Sequence, residues 1–320
     1  MTQIEPLLSC TQRRSLFPLE YPQIFERYKR TRAMFWTPGE VDLSGDVEHW
    51  NALGKDEKHF LSMVLAFFSV ADSIVNENLA ERFSKEVTCY EAQCFYNFQQ
   101  AMEDIHAEMY STLIDTYINS DAEKKRLANA IENFPCIKKK TDWAIKWIHS
   151  DRSFAERLVA FAVVEGIFFQ GSFCSIFFMK QKGIMPGLAH ANELIARDEG
   201  EHQEFAVLLY SLLENKLEDK VIYEIIDDAV KAEIEFCTEA LPVDLIGMNS
   251  RYMAEYIRFV ADRLMKQLGV PKLYNAACKF RFMENQSLEG KTNFFERRVS
   301  EYRKAGAQEL AEEFTVDADF

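Results

Sequence analysis

The chain has 320 residues, with 37 Lys and Arg against 51 Asp and Glu, a formal net charge of −14 and a pI near 5.0; that balance argues against gripping a phosphate backbone by bulk electrostatics. Twelve glycines and eight prolines are about half the usual share, so turns are few and long helices are favoured over a β-sandwich or a disordered chain. Seven cysteines form no C-x-x-C pair, which points to reduced thiols rather than a disulfide frame or a zinc site.

Residues 1–20 read as an N-terminal arm with Pro6 and Pro18, lacking the charged start and continuous apolar stretch of a secretory signal, so a cytoplasmic location is expected. A helical domain over 21–285 follows, punctuated at Pro38-Gly39, Gly54, Pro135, 183–186, Pro242 and Pro271. Apolar spacing predicts four long helices, over 55–83, 91–118, 153–180 and 187–213. Shorter helices are expected over 122–133, 139–149, 217–239 and 250–268. One stretch, 158–179, is long enough to span a bilayer. It holds Glu165 in its middle and has no second of its kind, so a buried core helix is expected rather than a membrane span. Beyond Met283 the apolar periodicity fades, and 286–320 reads as a flexible tail ending in the acidic, aromatic peptide Phe314–Phe320.

The chemistry lies in acids placed where they should not be. The first long helix carries no charge from Leu61 to Asn76 except Asp72, and the third none from Leu158 to Met179 except Glu165. A helix apolar on nearly every face lies inside a protein, where a carboxylate must be protonated, paired with a cation or bound to a metal. The second and fourth helices carry Glu103-x-x-His106 and Glu199-x-x-His202, a spacing that puts acid and imidazole on one face, a turn apart. Taken alone the spacing is weak. Fifty-one acids and six histidines give roughly one such pair by chance, and the chain has four, since Asp46/His49 and Asp56/His59 also qualify. Those last two sit among polar neighbours and are expected to be solvated. Either remaining pair alone is more often a core histidine satisfied by its acid. Together with Asp72 and Glu165, they form four carboxylates and two imidazoles on four long helices, the donor set of a carboxylate-bridged two-metal site in a ferritin-like bundle. Such donors suit iron or manganese. Asp72 stands where that pattern usually has Glu, one methylene longer.

Nearly the whole chain from Phe35 onward resembles the small, radical-generating subunit of class I ribonucleotide reductase, of the type found in eukaryotes and large DNA viruses. The resemblance is carried by Phe35-Trp36-Thr37, Asp72 with 74–79, Glu103-x-x-His106-x-x-x-Tyr110, 164–169, Arg197-Asp198-Glu199-Gly-x-His202, 290–296 and the terminal Phe-Thr-Val-Asp-Ala-Asp-Phe. It departs locally at 69–71, Cys174 and Phe178, and in a short N-terminal arm. It implies an all-α, ferritin-like bundle with additional helices and two iron ions per chain on Asp72, Glu103, His106, Glu165, Glu199 and His202. Tyr110 would hold a stable radical, shielded by Phe168, Phe169 and Phe173. Relatives with Phe in its place use a manganese/iron pair, so Tyr110 favours two irons, with manganese left open.

The resemblance further implies a relay through His106, Asp198 and Trp36, then Tyr302, to a large catalytic subunit that Phe314–Phe320 would dock. A homodimer is implied, and neither nucleic acid nor a membrane is an expected partner. The absence of a G-x-G-x-x-G or P-loop fingerprint assigns nucleotide chemistry to the other subunit. Two other readings use the same bundle: a ferritin-class storage protein without a radical, and a diiron oxidase or desaturase acting on its own substrate.

Overall fold

A computed structural model describes residues 5–10 and 13–283. Among these the regular elements are helices and no strand occurs. The chain divides into two units, Met1–Lys279 and Phe280–Phe320; of the second only 280–283 are described, where the rings of Phe280 and Phe282 lie 5.4 Å apart.

In the first unit the helices run α1 (Pro22–Arg32), α2 (Asp46–Ala52), α3 (Lys55–Asn78), α4 (Tyr90–Tyr117), α5 (Asp121–Ala128) and α6 (Pro135–Ile148). They continue with α7 (Phe154–Val163), α8 (Gln170–Gln181), α9 (Pro186–Leu212), α10 (Asp219–Glu235) and α11 (Ser250–Gln267). The four long expected helices are α3, α4, α7 with α8, and α9. α3 packs along α4, α9 lies against α7 and α8, and α10 and α11 pair with each other.

Local chemistry sets the helix ends. Ser153 opens α7 with a capping box: its hydroxyl accepts from the Glu156 amide at 3.3 Å while Glu156 accepts from the Ser153 amide at 3.0 Å. The start of α9 is capped from far away. The carboxylate of Asp46 accepts from the Gly187 and Leu188 amides, both at 2.7 Å. Gly187 is required there, because a Cβ would meet the Asp42 carbonyl oxygen at 2.5 Å. Met185, just before, is held in the left-handed region at φ 56°, its amide donating to His49 Nδ1 at 3.1 Å. This corrects the expectation that Asp46 and His49 are solvated: Asp46 is 0% exposed and His49 is half-buried. Their partners lie 71 or more residues away, so polar sequence neighbours gave no hint of them. Asp56 and His59 are exposed as expected.

Two stretches, Lys55–Glu86 and Phe154–Gln181, are apolar and long enough to cross a membrane, where the sequence reading found only the second. The charge-poor part of the first, 61–76, is shorter than a span, and only the continuous helix brings it to that length. Their most apolar windows are 78% and 94% buried against the rest of the fold, the setting of core helices in a bundle.

π turns lie at Leu79–Phe83 after α3, at Val164–Phe168 between α7 and α8, and at Phe236–Ala240 after α10. The second bears on function. One residue more per turn rotates everything that follows, and it does so at Glu165, inside a segment buried on all sides.

Candidate metal centre

α3 supplies Asp72, α4 supplies Glu103 and His106, the π turn supplies Glu165, and α9 supplies Glu199 and His202; all are at most 1% exposed. Their donor atoms form two clusters, each within 4.8 Å: Asp72, Glu103, His106 and Glu199 in one, Glu103, Glu165, Glu199 and His202 in the other. Glu103 and Glu199 belong to both. His106 Nδ1 lies 3.3 Å from Glu103, 3.1 Å from Glu199 and 3.9 Å from Asp72; His202 Nδ1 lies 3.0 Å from Glu103 and 3.1 Å from Glu199.

Among the described residues no Lys or Arg pairs with any of the four carboxylates. Both oxygens of Asp72, and one each of Glu103, Glu165 and Glu199, accept no hydrogen bond, and His106 Nδ1 also has none despite its neighbours. Proximity without hydrogen-bond geometry is the sign of donors aimed at a shared point. Each orphaned buried polar atom costs about 1–3 kcal/mol, which a pair of divalent cations would offset. Oxygen-rich donors with two imidazoles fit iron or manganese.

The titration pattern has the same origin. Burial, then the charges of Glu103 and Glu199, push Asp72 well above the usual carboxylate range; burial, Glu199 and Glu103 do the same to Glu165. Burial works against protonation of His202, yet Glu103 and Glu199 raise it to about 10. Glu199 is driven far down by the two imidazoles, against its own burial. Without a metal the site holds protons where metal ions would sit.

Around the ligands, the structure brings several expected residues together. Asp198 Oδ2 lies 3.3 Å from His106 Nε2 and accepts from the Trp36 indole at 2.7 Å, and the Trp36 and His106 rings stack at 6.1 Å. Arg197 donates to Asp198 Oδ1 at 2.8 Å and to the Met34 carbonyl at 2.7 Å. Burial raises the Asp198 carboxyl, but Arg197, His106 and Trp36 together hold it below the ordinary value. Tyr110, 2% exposed and one turn beyond His106, has a hydroxyl without a hydrogen-bond partner among the described residues and, through burial, a strongly raised pKa.

The aromatic shell differs from the expected one. Phe68 stacks on Tyr110 at 5.0 Å, with Phe173 at 5.0 Å and Phe169 at 5.9 Å behind it, whereas Phe168 packs on Trp143 at 4.9 Å. The π turn separates Phe168 from Phe169, and Phe68 went unnoticed among the many apolar residues of α3. Gln99 was also missed. Fully buried, it donates to Glu165 Oε1 at 3.0 Å. Its one sequence signal was its position a turn before Glu103 on the same face. Tyr302 and Phe314–Phe320 lie outside the described residues.

Fold and site together define a helical-bundle protein with a buried cluster of carboxylates and imidazoles that could hold metal. The family described as ribonucleotide reductase, small chain, matches residues 13–280, and the chain belongs to it. It is 58% identical over 325 residues to the ribonucleoside-diphosphate reductase small chain of Spisula solidissima, covering 99% of this chain and 85% of that one. Against the small chain of vaccinia virus (strain Ankara) it is 56% identical over 319 residues, covering 99% and 100%. Among solved structures, the ribonucleotide reductase Rnr4 homodimer from Saccharomyces cerevisiae matches with a TM-score of 0.81 and 40% identity over 93% of each chain. The chain is a ribonucleoside-diphosphate reductase small subunit, an oxidoreductase component with a ferritin-like fold.

Proposed function

We propose that this subunit uses two iron ions to generate and store a radical on Tyr110, and that it passes the oxidising equivalent to a large subunit for ribonucleotide reduction. One observation carries the reading: a phenol with no hydrogen-bond partner among the described residues, sealed by Phe68, Phe169 and Phe173 one turn from a metal ligand. A phenoxyl radical survives where water and reductants are kept away. Two irons on the six ligands would supply, from O₂, the oxidising power that removes an electron and a proton from Tyr110.

The chain's own residues do the rest. Glu103 and Glu199, common to both donor groups, would hold both ions, with Asp72 and His106 holding one and Glu165 and His202 the other. Gln99 orients Glu165. Asp198 fixes the imidazole of His106 through its outer nitrogen, the role of a carboxylate behind a metal-bound histidine, and joins it to the indole of Trp36. That contact makes His106, Asp198 and Trp36 a continuous route for an electron and its proton, continued by Tyr302. Phe314–Phe320 offers two aromatic ends and two aspartates to a groove on the large subunit. The working form is a homodimer in the cytoplasm, in keeping with the homodimer of the yeast relative.

Electron paramagnetic resonance on iron-loaded, oxygen-exposed protein tests this. Wild type should show a tyrosyl signal, and Tyr110→Phe should lose both the signal and reductase activity with the large subunit while retaining iron. An iron-loaded wild type without that signal would return the storage or oxidase readings.

A further inference from the structure

A second aromatic stack leaves the same helix. Tyr117 is buried on the same side of α4 as Tyr110, two turns further on, about 10 Å along the axis at 1.5 Å per residue. Its hydroxyl donates to Asp46 at 2.5 Å, and its ring stacks on Trp50 at 5.1 Å with 15° between planes. Asp46 is 0% exposed and Trp50 7%. These are the parts found at Trp36, Asp198 and His106: an indole, a buried carboxylate, and a ring that can give up a proton to it. Trp50 and Tyr117 also line a surface pocket of about 480 Å³, open to solvent, together with Asn51, Lys58, His59 and Asn119.

We propose that Trp50 and Tyr117 form an electron-entry route by which small reductants in this pocket quench a Tyr110 radical they cannot touch. The inference rests on the Tyr110 reading above. The phenyl shell blocks direct contact with Tyr110, so reduction must act at a distance, and the stack shortens that distance to the span between two tyrosines on one helix.

The step balances as follows for hydroxylamine. It loses one electron and one proton at the pocket, the proton entering water. The electron passes through Trp50 and Tyr117 to the Tyr110 phenoxyl oxygen, which takes up one proton drawn from solvent, equal to the one released at the pocket, and returns to a phenol. While Tyr117 is oxidised its proton resides on Asp46, and it moves back when the electron from Trp50 arrives. Asp46 also accepts the amides of Gly187 and Leu188, which fix it beside Tyr117 as a temporary holder of the proton, so Tyr117 is a stepping stone rather than the resting place of the radical.

The test follows decay of the Tyr110 signal in the full, iron-loaded chain after hydroxylamine is added. Tyr117→Phe and Trp50→Phe should begin with the wild-type signal and lose it about tenfold more slowly. Trp50→Tyr, which restores an oxidisable ring, should recover much of the rate. A structural role alone predicts the opposite sign, since loosened packing admits reductant and speeds decay. Unchanged or faster decay in both Phe variants, or slowing confined to Trp36→Phe, overturns the route. Absence of any tyrosyl signal in wild type would instead remove the Tyr110 reading, and this inference with it.

Discussion

Two of the buried clusters of charge in this bundle are built on opposite plans. Between α6 and α10, Lys140 and Glu233 pair at 2.6 Å, 2% and 0% exposed, with the ammonium over the rings of Phe67 and Phe236 at 3.8 and 4.2 Å. Cys237 donates to Glu233, and Gly171 leaves the space, since a Cβ there would collide with both. That cluster carries its own counter-charge. The candidate metal centre holds four carboxylates and two imidazoles, with no Lys or Arg paired to them among the described residues. A buried charge closed by a protein partner fastens helices; one left open waits for something from outside. Burial alone does not separate structure from function here, but a cluster balanced only by exchangeable protons, with no Lys or Arg of its own, does.

Breaking the open cluster should have the largest effect. Wild type should bind about two metal ions per chain, as the two donor groups imply. Glu165→Ala or His202→Ala should lose most of that metal, measured by elemental analysis after loading, and full occupancy in both would remove the site as drawn. Breaking the closed cluster should leave metal content alone and reduce stability. Lys140→Met strands Glu233 and should cost about 3–5 kcal/mol in urea unfolding, whereas Lys140→Met with Glu233→Leu should restore most of it. If the double variant is as unstable as the single, the pair does more than neutralise itself.

A pH series sharpens the same contrast. In metal-free protein Asp72 and Glu165 have raised pKa values, so folding is penalised once their unfolded counterparts ionise above about pH 4–5. Protonated His202 adds stability below its unfolded pKa of about 6.5, and this is lost as pH rises towards its folded value of about 10. Both effects have one sign. Glu199 and Asp198, held low, contribute fully throughout this window. The melting temperature of metal-free protein should therefore fall by several degrees or more from pH 5 to 9, the His202 shift alone being worth about 3 kcal/mol across that range. Loaded protein, whose ligands bind deprotonated, should gain stability relative to it over the same range. A metal-free melting temperature that rises with pH would reverse the assignment.

The sequence showed the open cluster more readily than the closed one, for a physical reason. An acid in an apolar run stands out against its neighbours, and the starts of α3, α4, α7 and α9 lie within about four residues of expectation because caps and prolines are local. Lys140 hid as the end of a basic run, its partner lying on a different helix. Asp46 hid as a polar residue in a polar stretch, though it caps a helix begun 140 residues later. The π turn at Glu165 left no trace, because a segment apolar on every face has no periodicity for one extra residue to disturb.

The smallest expected effect concerns the two histidines. The outer nitrogen of His106 faces Asp198, while Nε2 of His202 has no partner and its ring meets the edge of Phe95. Asp198→Asn keeps an oxygen for the Trp36 indole and a polar group for His106, so packing should survive. It removes the negative charge that makes His106 a better donor, a loss that typically weakens metal binding about tenfold. No comparable charge backs His202. A metal titration should therefore show one of two binding steps weakened in Asp198→Asn and the other unchanged, with Trp36 fluorescence close to wild type. Equal weakening of both steps would mean that the shared acids Glu103 and Glu199 couple the two halves so strongly that the asymmetry behind the histidines does not reach the metals.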